Sequence, residues 1–375
     1  MNKLEQNLLK LKNVCDNPKA QLDYYLQQGK KVIGCFPAYT PEEIVHAAGM
    51  IPMGLWGGKK NTVLAKSYLP AFACPIMQAD MELGLSGAYK GLSAVIIPTL
   101  CDTLRCMTQN WRFGMKNIPM IPMVYPQNRK SLASVDYLIS EYETVAVMLA
   151  TITGQMLTEQ SLCDAIALYN KHNAVMREFA QIANEHLNII TPTVRHAVMK
   201  SAFFFEKAEH TEIVKSINEE LQKLPIFDFK GKKLIVTGIT CEPDSLLQIF
   251  ADNNMAIVAD DLAQESRQYR TDTPLEGGGA MKRLALQWNN RHGCSLIHEA
   301  NKPRGGMLLK MCKETGAKCV VNCLMKFCDP EEYDQPYFEA DLRSGGISTI
   351  TVEITQQDDS MEQVRTRLQT MGEML

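Results

Sequence analysis

Apolar and polar positions alternate between two regimes along this chain. Short β-type runs that stop at Pro or Gly give way to stretches with helical spacing. Residues 31–36, 51–56, 94–98 and 120–125 read as strands, and 72–89 and 103–116 as helices. Thr40-Pro41-Glu42-Glu43 carries the signals of a helix start, with Thr as cap, Pro at the first position and Glu at the third. Gly49 suits the end of that helix. Between 131 and 225 the pattern turns wholly helical: Val135, Leu138, Tyr142, Val145 and Leu149 keep one face, and Leu162, Ile166, Tyr169 and Met176 another. The β/α rhythm then returns, with strands expected at 233–238, 256–259, 319–324 and 349–353, and helices at 244–253, 280–291, 302–316 and 361–374. Strand alternating with helix predicts parallel, doubly wound sheets, so the fold class is α/β.

The expected organisation is an N-terminal helical segment (1–30), a first α/β domain (31–130), a helical bridging segment (131–230) and a second α/β domain (231–375). The two α/β units share a small echo, Thr40-Pro41-Glu42-Glu43 against Asp329-Pro330-Glu331-Glu332, which hints at duplication. Its cheaper explanation is that both helices need good caps.

Composition narrows the function classes. The chain has 375 residues, 46% of them hydrophobic, which is enough to bury two or three domain cores. A net charge of −3 without a long basic run points to neither nucleic acid nor an anionic membrane as partner. No apolar run approaches the roughly 18 residues of a membrane span. Residues 1–6 lack the apolar core of a secretion signal, so a cytoplasmic setting is expected.

Twelve cysteines in a reducing compartment argue against a disulfide framework. Most read as small buried hydrophobes, and Cys15, Cys163, Cys294, Cys312 and Cys319 are expected to be of that kind. The chain contains no Cys-x-x-Cys pair, which disfavours a zinc ribbon, a redox dithiol and a ferredoxin run. In open α/β sheets ligands gather at the carboxyl ends of strands. Cys101 follows one expected strand in Pro98-Thr99-Leu100-Cys101-Asp102, Cys328 follows another, and Cys74 sits near a helix start, where a thiolate is favoured. Three such thiolates meeting between the domains could hold three irons of a [4Fe–4S] cluster and leave the fourth iron open. Spacing leaves alternatives: Cys106 could replace Cys101, and Cys323 could replace Cys328. The seven histidines show no His-x-x-x-His pairing, and His46 reads as structural. Asp260-Asp261 is expected at a strand end, paired with Arg267 or Arg270 slightly ahead of binding a ligand. No phosphate-loop or dinucleotide fingerprint is present, so any ATP would be used by another protein.

Several of these stretches together resemble one family. Gly34-Cys35-Phe36-Pro37 with Pro41-Glu42-Glu43-Ile44-Val45-His46-Ala47-Ala48-Gly49-Met50 is similar to the start of the 2-hydroxyacyl-CoA dehydratases, a family that benzoyl-CoA reductase subunits share. So are Cys74-Pro75, Pro98-Thr99-Leu100-Cys101-Asp102-Thr103-Leu104, Met325-Lys326-Phe327-Cys328-Asp329-Pro330-Glu331-Glu332, Asp260-Asp261 and Gln363-Val364-Arg365-Thr366-Arg367. The resemblance runs over nearly the whole chain and is closest to the smaller, β-type subunit. It implies two flavodoxin-like domains with a helical region and a [4Fe–4S] cluster between the domains. Residue by residue, the family's cluster ligands fall on Cys74, Cys101 and Cys328. The implied reaction removes water from an (R)-2-hydroxyacyl-CoA to give a 2-enoyl-CoA through a ketyl radical. The implied partners are a larger α-type subunit, an ATP-hydrolysing iron–sulfur activator and the acyl-CoA. In the family the substrate binds mainly at the larger subunit, so this chain's cluster is expected to relay electrons, and no catalytic base falls on this chain. Some members also carry a flavin, for which this sequence shows no motif. The alternatives are an aromatic acyl-CoA reductase subunit and a noncatalytic accessory or activator-docking protein.

Overall fold

The computed structural model describes residues 1–131, 133–357 and 361–374. Two helices open the chain, α1 (Lys3–Asp16) and α2 (Pro18–Gln27). The helical segment expected here comes as two helices. Asn17 breaks it: its side chain accepts from the Ala20 N–H and Pro18 takes the first helical position, so the residue that ends α1 also starts α2.

The first sheet contains β1 (Val32–Cys35), β2 (Ile51–Gly54), β3 (Ala94–Pro98) and β4 (Met120–Met123) in the order β2-β1-β3-β4, all parallel. Helices α3 (Glu42–Ala47), α4 (Pro75–Leu85) and α5 (Asp102–Gly114) connect its strands. Every residue of β1, β2 and β3 is buried, as a parallel sheet covered on both faces requires. A helical group follows, α6 (Ala133–Thr153), α7 (Glu159–Ile182), α8 (Pro192–Ser201) and α9 (Lys207–Leu221), against which α1 packs. The backbone carbonyl of Phe203 accepts from the Gly54 N–H at 2.9 Å, tying this group to the free edge of β2.

The second sheet repeats the first. β5 (Lys232–Gly238), β6 (Met255–Leu262), β7 (Cys319–Met325) and β8 (Ser348–Ile354) are parallel in the order β6-β5-β7-β8. Its connections are α10 (Asp244–Asp252), the short α11 (Ser266–Tyr269), α12 (Ala280–Asn290), α13 (Arg304–Thr315) and α14 (Asp329–Ser344), and α15 (Glu362–Met374) closes the chain. The expected α/β class with two flavodoxin-like sheets is borne out.

Two sequence readings are corrected. Thr40 does not cap α3: its hydroxyl donates to the Phe36 carbonyl, and Pro41 stands at the cap with no side-chain bond. The β6 strand runs on through Asp260 and Asp261, so these acids lie within the strand instead of closing it. The Thr40/Asp329 echo also does not align the two halves, because α3 follows the first strand of its sheet and α14 follows the third. The pair that does align is Cys101-Asp102 and Cys328-Asp329. Each stands past the third strand of its sheet and opens the next helix.

Candidate functional site

β3 ends at Pro98, which cannot donate a ladder hydrogen bond and lets the chain turn away; Cys101 then occupies the cap of α5 in extended conformation. β7 ends at Met325, Phe327 takes a left-handed backbone (φ +60°), and Cys328 becomes the cap of α14 with Pro330 inside its first turn. Cys74 caps α4, with Pro75 at its first position. All three candidate thiols therefore sit at helix N-termini, where unpaired backbone N–H groups favour negative charge.

Burial nonetheless dominates each of them. It pushes Cys74 up to about 12, with the neighbouring Cys101 adding to the rise while the N–H groups of Ile76 and Met77 oppose it. Cys101 is raised by burial and by Asp102 and Asp329, against the N–H groups of Thr103 and Leu104. Cys328 is held far above the thiol range by burial, then by Glu331, Cys74 and Cys101, against the Glu331 N–H. The three sulfurs thus share one electrostatic environment, two supplied by the first sheet and one by the second. Among the described residues no group of three or more His, Cys, Asp or Glu is set to hold a metal ion.

The other cysteines lie elsewhere. Cys106 is exposed, and Cys323 is buried within β7, where its thiol donates to Cys241 Sγ at 3.7 Å. Cys294, Cys312 and Cys319 are buried as expected, whereas Cys15 and Cys163 are only partly so, Cys163 accepting from Arg283 Nη2 at 2.8 Å.

A buried ionic network fixes the Cys328 turn. Glu331, three residues on, accepts from Arg267 at 3.1 Å, Arg304 at 2.7 Å and Ser295 at 2.7 Å. The same two arginines, with Arg270, hold Asp261. Against burial, which would raise it, these guanidinium groups keep the Asp261 carboxyl far below the usual carboxylate range. The expected pairing of Asp261 with Arg267 and Arg270 is therefore present, and Asp260 pairs with Arg195 at 2.5 Å. Arg304 stands at the start of the helix leading into β7, the place that Cys74 holds before β3.

A second network spans the halves. Gln356, just past β8, donates to the Trp56 carbonyl at 2.6 Å and to Glu242 at 2.7 Å, and accepts from the Gly58 N–H at 3.0 Å. Glu242 also holds His196 and Lys200, and the other nitrogen of His196 reaches Glu265 at 2.8 Å. Gly57 is required here: its φ is +67°, and a Cβ would lie 2.3 Å from Gln356 Oε1 and 3.0 Å from the Ile76 carbonyl in the first turn of α4.

Comparison with known proteins identifies the family. Residues 37–375 match the model described as 2-hydroxyglutaryl-CoA dehydratase, D-component. The chain belongs to this dehydratase family. The lactoyl-CoA dehydratase subunit beta of Anaerotignum propionicum is 44% identical to it over the full length of both chains. The (R)-phenyllactyl-CoA dehydratase beta subunit of Clostridium sporogenes is 44% identical, covering 97% of each. The (R)-2-hydroxyglutaryl-CoA dehydratase, subunit beta, of Acidaminococcus fermentans is 38% identical over 96% of this chain and 97% of its own. The β-type resemblance read from the sequence is borne out, and as a dehydratase subunit the chain is part of a hydro-lyase.

Sequence reasoning singled out the three cysteines of this dehydratase chain as candidates and gave no role to Arg304, Glu331 or Gln356. Glu331 carried a signal, being the third residue of a capped helix. Arg304 and Gln356 carried none, since what they touch lies tens to hundreds of residues away in sequence.

Proposed function

We propose that this chain is the β-type subunit of an (R)-2-hydroxyacyl-CoA dehydratase in which Cys74, Cys101 and Cys328 hold a [4Fe–4S] cluster between the two sheets. The observation that carries the reading is that the three thiols feel one another electrostatically, Cys101 acting on Cys74 and both on Cys328, and that each stands at a helix N-terminus with backbone N–H groups beside the sulfur. N–H groups beside the sulfurs are among the features that set a cluster's potential.

When bound, such a cluster supplies a low-potential electron and, at an iron without a protein ligand, a Lewis acid. The chain's own residues do the holding. Cys328 is only 8% exposed, so water is largely excluded from its side of the site. Glu331, clamped by Arg267 and Arg304, fixes the first turn of α14 and with it the direction of the Cys328 sulfur. Cys74 and Cys101 are positioned by proline-assisted starts and strand ends in the other half.

The reaction proposed for the complex explains the need for an electron. Hydroxide must leave the carbon next to the thioester, and the β proton is scarcely acidic. One electron added to the thioester carbonyl gives a ketyl radical that expels hydroxide. The β proton of the resulting radical is then acidic enough to leave, and the electron is returned. The partners are a larger α-type subunit that binds most of the substrate and an ATP-hydrolysing activator that delivers the electron. All twelve cysteines are unpaired, which suits a reducing, cytoplasmic setting.

The test is iron, sulfide and electron paramagnetic resonance on the anaerobically co-expressed pair, with Cys74→Ser, Cys101→Ser and Cys328→Ser made singly and Cys106→Ser as control. Each of the three is expected to lose one cluster's worth of iron and most of the dehydration activity, with Cys106→Ser unchanged. Iron retained in all three variants would remove the cluster from this chain.

A further inference from the structure

Helix α4, which begins at Cys74, also carries a carboxyl that none of the functions above uses. Asp80 is 0% exposed and stands about 9 Å along the helix axis from Cys74. Its Oδ1 accepts from the Gly57 N–H at 3.0 Å and from the Tyr89 hydroxyl at 2.5 Å. Its Oδ2 is buried and has no partner among the described residues. A carboxylate so placed is costly, because no donor replaces the water lost at its second oxygen.

No cation relieves that cost. Burial pushes the Asp80 carboxyl up to about 7, against the bonds from Tyr89 and Gly57, and no Lys, Arg or His among the described residues acts on it. The charged groups of the elements packed on α4 are exposed: Asp102, Arg105 and Arg112 of α5, and Lys66 of the turn at 65–67. Glu82 of α4 itself accepts from the Val63 and Ala65 N–H groups. Across the loop 56–58, Glu242 is held by His196 and Lys200. The titratable groups that Asp80 does act on are Tyr89, held far above the phenol range by burial and then by Asp80, and Cys74, raised by burial, then by Cys101 and then by Asp80.

A route for a proton is present. Tyr89 is only partly buried and lines a cavity of about 460 Å³, which opens between the α1–α2 turn, the end of β2, α8 and the start of α10. A phenol hydroxyl both donates and accepts. One side chain therefore joins that cavity to the buried carboxyl.

We infer that Asp80 compensates charge for the cluster, taking up a proton through Tyr89 when an electron arrives beside Cys74 and releasing it when the electron leaves. The inference rests on the cluster reading above. The electron comes from the activator and passes to the larger subunit. The proton comes from solvent and returns there, and the O–H bond formed at the carboxylate is broken again, so Asp80 needs no further reactant. A negative charge added about 9 Å from a desolvated carboxylate is worth on the order of tenfold in its proton affinity.

The test is a redox titration of the anaerobically co-purified complex, read by electron paramagnetic resonance on the signal that Cys74→Ser removes. In the parent protein the midpoint potential should fall by about 59 mV between about pH 6 and pH 9, the one-electron equivalent of tenfold. Asp80→Asn keeps an acceptor for Gly57 and Tyr89; it should leave the iron content unchanged and make the potential independent of pH. Tyr89→Phe removes a bond that lowers the carboxyl, so the fall should move to higher pH. An Asp80 that only braces the loop would produce neither change. A parent potential independent of pH would overturn the inference and leave the cluster reading standing, as would a fall that Asp80→Asn retains. A signal that no cysteine variant removes would overturn both. Should Asp80→Asn fail to fold, the parent slope and the Tyr89→Phe shift decide.

Discussion

The most consequential side chains outside the thiols are titratable groups kept charged in the interior. His196 shows how. Burial would lower it, but hydrogen bonds to Glu242 and Glu265 push it up to about 9. Its partner Glu242 is held well below the carboxylate range, against burial, by Lys200 and His196. A histidine raised on folding stabilises the protein fully below its unfolded value near 6.5, and that stability is lost as pH rises towards 9. Urea denaturation between pH 6.5 and 9 should therefore show stability declining, by roughly 3 kcal/mol at most over the window. His196→Gln should be less stable at pH 6.5 and should flatten the decline; an undiminished slope would assign it to other groups. None of this was legible in the sequence. His196 stands on α8 with no acid near it in the chain, and its partners come from residues 242 and 265. Asp261 was easier, because Arg267 and Arg270 follow within one short turn.

At the scale of elements, the sequence was readable wherever local chemistry decides. The buried strands were found because parallel sheets leave uninterrupted apolar runs, and the long helices because one face repeats. The cap at Thr40 was misread because a threonine hydroxyl has more than one acceptor within reach, and here the Phe36 carbonyl wins. Asp260 and Asp261 appeared to end a strand because carboxylates rarely lie inside one; four arginines, at 195, 267, 270 and 304, make it tolerable. Strand ends themselves were readable but not their tolerances. Gly238 closes β5 at φ +138°, and a Cβ there would sit 2.3 Å from the Cys323 carbonyl of β7. Gly238→Ala combines strain with a backbone clash and should cost about 2–4 kcal/mol. Its denaturant midpoint should fall clearly below that of Gly306→Ala, a helical site where a Cβ meets nothing within 4 Å. Equal midpoints would mean that β5 and β7 separate at little cost.

Across the whole molecule, the two sheets share one strand order, yet the halves are not interchangeable. The first contributes two thiols and the second contributes one thiol and the ionic network that braces it. Gln356 joins them by bonding to Trp56 and Gly58 on one side and Glu242 on the other. Gln356→Ala leaves those buried groups short of partners, at about 1–3 kcal/mol. The variant should keep its circular dichroism but be cut faster by protease between the halves, and unchanged cleavage would show that the interface holds without this residue. The three cysteines could be singled out because each adjoins a strand end or a helix start. The distance between them in sequence hid the contacts that position each one, such as Arg304 on Glu331.

That distance also sets an order of events in the making of the protein. Cys74 and Cys101 leave the ribosome before the second sheet and belong to the first. Cys328 follows Cys101 by 227 residues (328 − 101), and its helix α14 reaches Ser344. The three thiols therefore cannot be brought together on a nascent chain until the second sheet has been translated. Any group held by all three would be completed only then, on a first sheet made well before.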